Sequence, residues 1–338
     1  MTTLLSKSGP GGDRKAGSSA LPGPASPIAR FGLLGIFVLL IVFFSIINPD
    51  RFPTTGNAST IALGQAANAL LAFAVMVPLA AGQFDLSVGY QFGFAQSLLA
   101  WLAISQGIES ALALLITLVC VCCIGLANGL MVTRLKLPSF TTTIGTGIVV
   151  LGITEWLTGN QVIFGELPGW FANIGRGQVV GIPLPFVIVI VVAVVLLLLT
   201  ERTLWGRRAY ATGANPEAAR LTGIPVDRLT LQSFLLGSVL CTLAGAISMT
   251  NLGGSSPVVG LGALLPAFAG AFLGATGIRP GRYNVLGTLI AIYLVGTGIS
   301  GLQQLGVEPY VQDLFNGVAL LAAIVVSAAA TRRFARRT

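Results

Sequence analysis

The segment from Phe186 to Thr200 reads FVIVIVVAVVLLLLT and contains no charged residue. Other long runs share this character, and only 9% of the 338 residues are charged. A soluble domain carries about 25% charged residues, so this chain has too little charge to cover a globular surface. Helices are the structures in which such runs can cross a bilayer with every backbone group paired. The sequence therefore predicts an all-α membrane protein.

Apolar runs of roughly 17 to 25 residues predict about ten transmembrane helices. They cover residues 32–48, 61–81, 86–104, 111–133, 140–158, 184–200, 229–250, 263–278, 285–305 and 312–329. Only GQFD separates the second run from the third, which favours a broken or re-entrant helix. The eighth run is short and contains Pro266.

Basic residues are concentrated in alternate connections between these runs. If the N-terminus is cytoplasmic, all of the 19 lysines and arginines except Arg51 and Arg176 fall on the cytoplasmic side. An excess of Lys and Arg marks the cytoplasmic side of a membrane protein. The pattern predicts that both termini are cytoplasmic. It also explains the net charge of +8 without a nucleic-acid partner.

Composition divides the chain into three parts. Residues 1–30 are rich in Gly, Pro and Ser, lack apolar periodicity, and are expected to form a disordered cytoplasmic tail. This segment is not expected to be a signal peptide, because no small-residue cleavage site follows the first long apolar run. Residues 31–330 are predicted to form one membrane domain, and residues 331–338 a short basic tail.

The residues that most often carry chemistry are scarce. The chain has no histidine. Its four cysteines lie inside apolar runs, so they are expected to act as small buried hydrophobic residues and not as metal ligands or disulfide partners. We therefore predict no metal site, no catalytic cluster and no enzymatic activity. The phosphate-binding pattern G-x-x-x-x-G-K-[ST] is also absent, so ATP is not expected to bind to this chain in that manner.

One carboxylate, Asp85, lies in a long apolar neighbourhood within the stretch GQFDLSVG. A charge near the bilayer centre costs at least ~2.5 kcal/mol. The side chain can offset this cost by accepting hydrogen bonds from the amides of Ser87 or Val88, as an N-cap does. Gly82 and Gly89 would allow a tight break and a close helix approach. We predict a broken-helix motif here; contact with a solute and proton coupling are the alternatives.

A second candidate segment is the longest basic connection, residues 201–228. Asn215 is a good N-cap, Pro216 fits the first helical position, and Glu217 suits the positive end of the helix dipole. Gly223 would end the helix. A helix of this length is not stable alone in water and needs a partner surface. That surface is either a partner protein or lipid headgroups beside Arg207 and Arg208.

Four motifs give the chain a specific resemblance. GRRAYATGANPEAARLTGI resembles the cytoplasmic loop of the permease subunits of bacterial ABC importers of the ribose type. FDLSVG, LANGLMVTRLKLPSFTTTIGTG and LGATGIRPGRYNVLGT are similar to three further signatures of that family, in the same order. The resemblance covers about residues 31 to 330. The loop matches the family pattern at Gly206, Ala211, Gly213, Asn215, Ala218, Ala219, Gly223 and Ile224.

The resemblance implies a permease subunit in the bacterial inner membrane that imports a sugar or polyol. It implies three partners: an ABC ATPase that binds ATP and Mg²⁺, an extracellular or periplasmic binding protein, and a second permease copy or paralogue. It also implies that the helix near Asn215 is a coupling helix that contacts the ATPase. We expect this contact to involve Gly213, Asn215, Pro216, Glu217, Ala218, Ala219, Gly223 and Ile224. The alternative is an ion-coupled secondary transporter that uses Asp85 or Glu155.

The chain departs from the family pattern near the broken helix and near the eighth run. Gln83 and Phe84 replace a glycine and an isoleucine before Asp85, and GIRPG replaces the usual S-L-x-G-G. A neutral, hydroxyl-rich solute needs amide and hydroxyl partners rather than charges. The candidate translocation path therefore consists of Gln65, Asn68, Gln91, Asn128 and Thr142. Alternatively, these side chains hold helices together by hydrogen bonds worth ~0.6 kcal/mol each.

Overall fold

The structure, a computed structural model, describes residues 27–308, 310–311, 314–318, 321 and 325. Within these residues, the long apolar runs form α-helices. They are α1 (Pro27–Ile47), α2 (Thr55–Gly64), α3 (Ala66–Ala80), α4 (Ser87–Ala100), α5 (Ser110–Thr133), α6 (Ser139–Thr158), α7 (Gly169–Arg176), α8 (Leu184–Arg202), α9 (Leu204–Ala214), α10 (Pro216–Leu221), α11 (Val226–Leu252), α12 (Val259–Gly274) and α13 (Val285–Gln304). A π-helical turn, Trp101–Ser105, extends α4.

Four two-residue strands supplement the helices. β1 (Ile163–Phe164) pairs antiparallel with β4 (Gly254–Ser255), and β2 (Gln178–Val179) pairs antiparallel with β3 (Ile182–Pro183). The first pair attaches the long α6–α8 connection to the end of α11. α7 lies in the same connection. Its Phe171 is fully buried, so the connection is part of the packed structure.

Six helices of the described chain are long and apolar enough to cross a membrane, namely α1, α5, α6, α8, α11 and α13. The pair α2–α3 adds a seventh candidate if its 41° bend is part of one span. The predicted spans 86–104 and 263–278 correspond to the shorter helices α4 and α12, while most of 312–329 lies outside the described residues. The all-α membrane class is confirmed; the count of ten spans and the orientation of the termini stay predictions.

Burial separates central helices from peripheral ones. α3 and α4 are almost wholly buried, and they pack against α11 and α12. In contrast, α1, α5, α6 and α8 expose large apolar side chains, including Ile46 and Trp156. Exposed apolar faces of this kind suit contact with lipid rather than water. The broken-helix motif therefore joins two central helices, although the break itself is partly exposed, with Phe84 41% exposed.

Glycines bring α4 and α12 into close contact. A Cβ atom added to Gly89 would lie 2.6 Å from the carbonyl oxygen of Gly260. One at Gly93 would lie 3.3 Å from the Gly260 amide nitrogen. Lipid provides little driving force for helix association, so small residues that let backbones approach are a principal means of packing in membranes. This contact accounts for Gly89 in the motif.

Candidate functional site: the broken helix and the capped loop

α3 ends in a Schellman motif at Gly82. The Gly82 amide donates to the Leu79 carbonyl at 3.0 Å, and the Gln83 amide donates to the Pro78 carbonyl at 2.9 Å. Gly82 has φ +79°, a left-handed backbone conformation that residues with a Cβ atom rarely adopt. The chain then runs through an irregular segment before α4 begins at Ser87. This break between two central helices was predicted from the sequence.

Asp85 lies in the break and is fully buried. Its Oδ1 accepts hydrogen bonds from the Ser87 amide at 3.0 Å and from the Ser87 hydroxyl at 2.5 Å. The bond to the amide two residues ahead makes an Asx turn. The geometry differs from an ordinary N-cap, because Leu86 occupies the position that flanks the helix. Oδ2 has no hydrogen-bond partner among the described residues.

Ser87 is the centre of a buried polar cluster that joins four helices. Its hydroxyl accepts hydrogen bonds from Gln91 at 2.7 Å and from Asn128 at 2.9 Å. The side-chain oxygen of Gln91, Oε1, accepts a hydrogen bond from the Ser238 hydroxyl at 2.6 Å. The side-chain oxygen of Asn128, Oδ1, accepts one from the Thr146 hydroxyl at 2.7 Å. We call this set the Ser87 cluster; it consists of Asp85, Ser87, Gln91, Asn128, Thr146 and Ser238.

The Ser87 cluster changes the interpretation of two predicted path residues. Gln91 and Asn128 are fully buried, and each donates and accepts within the protein. In this conformation their hydrogen bonds link α4, α5, α6 and α11. The structure thus favours the alternative that these side chains hold helices together.

Replacing Gln91 with leucine should destabilise the protein by about 1–3 kcal/mol, because two side-chain hydrogen bonds disappear from a buried site. The thermal midpoint of the purified protein measures this effect. Gln65→Leu is the matched control, since Gln65 is only partly buried and has one side-chain bond. An unchanged midpoint for Gln91→Leu, with altered solute selectivity, would instead support a role in the path.

Hydroxyl groups at the start of α6 hold the irregular segment in place. The Ser139 hydroxyl accepts from the Phe84 amide at 3.1 Å, and the Thr143 hydroxyl accepts from the Leu86 amide at 3.0 Å. The predicted residue Thr142 instead donates to the Pro138 carbonyl of its own helix at 2.8 Å. Sequence reasoning selected Thr142 but neither Ser139 nor Thr143, which face the break. Only the helical phase distinguishes them.

Gln65 and Asn68 lie apart from the Ser87 cluster. Gln65 lies at the bend between α2 and α3, and Asn68 lies in the first turn of α3. The side-chain amide of Asn68 donates to Oε1 of Gln65 at 3.1 Å. Gln65 also packs against Gly296 of α13. The structure therefore does not join the five predicted path residues into one surface.

The capping predicted for the connection 201–228 is present. The Asn215 side chain accepts from the Ala218 amide at 3.0 Å, and Pro216 is the first residue of α10. Gly223 has φ +79° and closes a Schellman motif, in which the Ile224 amide donates to the Ala219 carbonyl at 3.0 Å. The short helix is thus defined at both ends by local interactions.

Asp227 ties α10 to its surroundings. Its carboxylate forms ion pairs with Arg220 of α10 at 2.6 Å and with Lys136 of the α5–α6 connection at 3.1 Å. Both pairs are about half exposed, so each contributes little energy by itself. Their effect is to orient α10 relative to two neighbouring segments. The sequence analysis did not identify Asp227, because it is separated from both partners along the chain.

The two alanines of α10 face different surroundings. Ala219 is 4% exposed and is covered by its own chain, whereas Ala218 is exposed. Leu221, which the sequence analysis did not select, is 90% exposed. The exposed surface of α10 therefore includes Glu217, Ala218 and Leu221. In this conformation Ala219 presents little surface for the ATPase contact that the resemblance implies.

Comparison with known proteins shows the family of this sequence. A family model described as "Branched-chain amino acid transport system / permease component" matches residues 57–324. The chain belongs to this family. It is a multi-pass inner-membrane permease, as its membrane spans and its family together show. No solved structure matches the chain.

Characterised relatives of this permease are similar over nearly their whole length. The ribose import permease protein of Bacillus subtilis (strain 168) is 34% identical over 87% of this chain and 90% of the relative. The D-allose transport system permease protein of Escherichia coli (strain K12) is 30% identical over 88% and 91%. The L-arabinose transport system permease protein of the same strain is 28% identical over 88% and 89%.

Proposed function

We propose that this permease is the membrane subunit of an ATP-driven importer that carries a sugar or a polyol. The observation that supports this most directly is its similarity to permeases of ribose, allose and arabinose transport. The short helix α10, which is capped at both ends and exposed to solvent, agrees with it. ATP and Mg²⁺ would bind to a partner ATPase, because this sequence lacks a phosphate-binding loop. The permease itself would catalyse no reaction.

Two further partners complete the proposed importer. An extracellular or periplasmic binding protein would deliver the solute, and a second permease copy or paralogue would form the other half of the path. The similarity to importer permeases supports this assembly over an ion-coupled secondary transporter. The Ser87 bonds to Asp85 also agree with a structural role for that carboxylate.

The test is uptake into vesicles that contain the permease with its ATPase and binding protein. We expect accumulation of D-ribose, D-allose or L-arabinose that requires internal ATP and the binding protein. A protonophore should not abolish it while ATP is supplied. Uptake driven by an ion gradient in vesicles without the ATPase would instead establish the secondary-transporter alternative.

For topology, we propose ten spans with both termini in the cytoplasm. Single cysteines at Ser18 and Thr338 should then be shielded from an impermeant thiol reagent in intact cells, while one at Asn173 should react. The basis is the distribution of Lys and Arg, which places 159–183 outside. Labelling is measured before and after permeabilisation, so that a buried cysteine is not mistaken for a cytoplasmic one. Labelling of either terminus from outside would contradict the count.

A further inference from the structure

The two segments that the sequence singled out touch each other through a pair of glycines. Gly82 lies at the end of α3, and Gly213 lies in the last turn of α9. A Cβ atom on Gly82 would lie 3.0 Å from the Cα of Gly213. One on Gly213 would lie 2.9 Å from the Gly82 nitrogen and would collide with the Ala80 carbonyl. The two backbones are therefore in direct contact, with no side chain between them.

On one side of this contact, α9 is held by the end of α8 and by the connection between α12 and α13. Gly206 packs against the Thr200 carbonyl at the end of α8. The Tyr210 hydroxyl donates to the Tyr283 carbonyl at 2.7 Å, and the guanidinium of Arg282 lies 3.5 Å from the centre of the Tyr210 ring. Burial raises the pKa of Tyr210 despite the nearby Arg282. The hydroxyl thus keeps the proton that it donates.

The C-terminal end of α9 leads directly into the exposed helix α10. Asn215 is at once the residue that ends α9 and the N-cap of α10. Its amide donates to the Ala211 carbonyl at 3.1 Å, while its side chain caps the next helix. Because one residue belongs to both helix ends, a displacement of α10 would reach the turn that contains Gly213.

On the other side of the contact, Gly82 begins the segment that carries Asp85. The amides of Phe84 and Leu86 are held by two hydroxyls of α6, and Asp85 is held by Ser87 at the start of α4. Close-packed atoms transmit displacement because they leave no slack. A shift of Gly213 by a few tenths of an ångström would therefore move the break and the first turn of α4.

We propose that the Gly82–Gly213 contact is the point at which movement of the α9–α10 segment enters the membrane domain. The proposal rests on the proposed function and on the expectation that the partner ATPase contacts α10 and moves it. Gly213 and Gly82 are then positioning residues for transport. They act on the broken helix and not on the solute.

The test compares Gly213→Ala with Gly145→Ala in vesicles that contain the complete importer. An added methyl at Gly213 would separate the two backbones, whereas Gly145 has open space around its Cα. The readout is the amount of sugar taken up per ATP hydrolysed, measured with D-ribose, D-allose or L-arabinose. We expect this ratio to fall about tenfold for Gly213→Ala, within the range of coupling between distinct sites. Gly145→Ala should match the wild type.

A role limited to stability would lower uptake and ATP hydrolysis together and leave the ratio unchanged. An unchanged ratio in assembled Gly213→Ala complexes would therefore overturn the proposal. If Gly213→Ala does not assemble, one glycine inserted between Ala214 and Asn215 decides the question. This insertion keeps the contact but loosens its link to α10, so the ratio should again fall. A wild-type complex without ATP-dependent uptake would count against the proposed function and not against the contact.

Discussion

Replacing Leu221 with aspartate should weaken binding of the ATPase to the permease about 100-fold, an effect of ~2.7 kcal/mol. Leu221 is 90% exposed on α10, a helix that is too short to be stable without a partner surface. If the ATPase covers α10, an aspartate at this position would be buried without a counter-charge. Co-purification of the ATPase measures the effect, and membrane insertion of the permease should be normal.

Two comparison variants make this result specific. Val180→Asp places the same charge on a residue that is 97% exposed in the β2–β3 turn, and ATPase binding should not change. Leu221→Lys places a favourable charge in the last turn of α10, where a cation suits the helix dipole. Loss of binding in both Leu221 variants would show that the apolar contact matters and not the helix alone. Wild-type ATPase binding by Leu221→Asp would contradict the assignment of α10 as the coupling helix.

The local signals in the sequence predict the short helix well. Asn215, Pro216 and Gly223 act within a few residues of their own positions, so their caps can be inferred without knowledge of the fold. The same is true of the break at Gly82, where a glycine next to a polar stretch interrupts two apolar runs. The apolar runs similarly predict most of the long helices, because length and hydropathy are properties of the chain itself.

Residue roles that depend on helix packing could not be predicted in this way. Ala218 and Ala219 are identical in type and adjacent, yet only Ala219 is covered by the rest of the chain. Thr143 contacts the break, whereas Thr142 bonds to its own helix. In each case the outcome depends on which side of a helix meets its neighbour. A single sequence with weak amphipathicity does not contain that information.

The polar residues show the same limit in another form. The sequence identifies Gln91 and Asn128 as unusual in apolar surroundings, and two explanations fit that observation equally well. The structure favours helix packing, because in this conformation the hydrogen bonds of the Ser87 cluster use both side chains. A polar residue is a candidate for solute contact only where its hydrogen-bonding groups are not already paired.

The other large effect is expected at Asp85. Asp85→Leu should prevent stable folding or sharply lower the yield of the protein, because the Ser87 amide and hydroxyl lose their buried acceptor at about 1–3 kcal/mol for each group. Asp85→Asn keeps an oxygen at the Oδ1 position and is itself a good capping residue. We therefore expect Asn to retain most of the thermal stability and most of the uptake.

The pair of variants separates the shape of the Asp85 side chain from its charge. Asparagine and leucine are both neutral and similar in size to aspartate, but only asparagine can accept the two Ser87 bonds. If capping is the role of Asp85, Asp85→Asn should keep a thermal midpoint and an uptake near those of the wild type, and Asp85→Leu should lose both. If Asp85→Asn assembles normally with the ATPase yet transports nothing, the negative charge itself is required. The local bonds to Ser87 would then explain how the charge is held in the membrane but not why it is there.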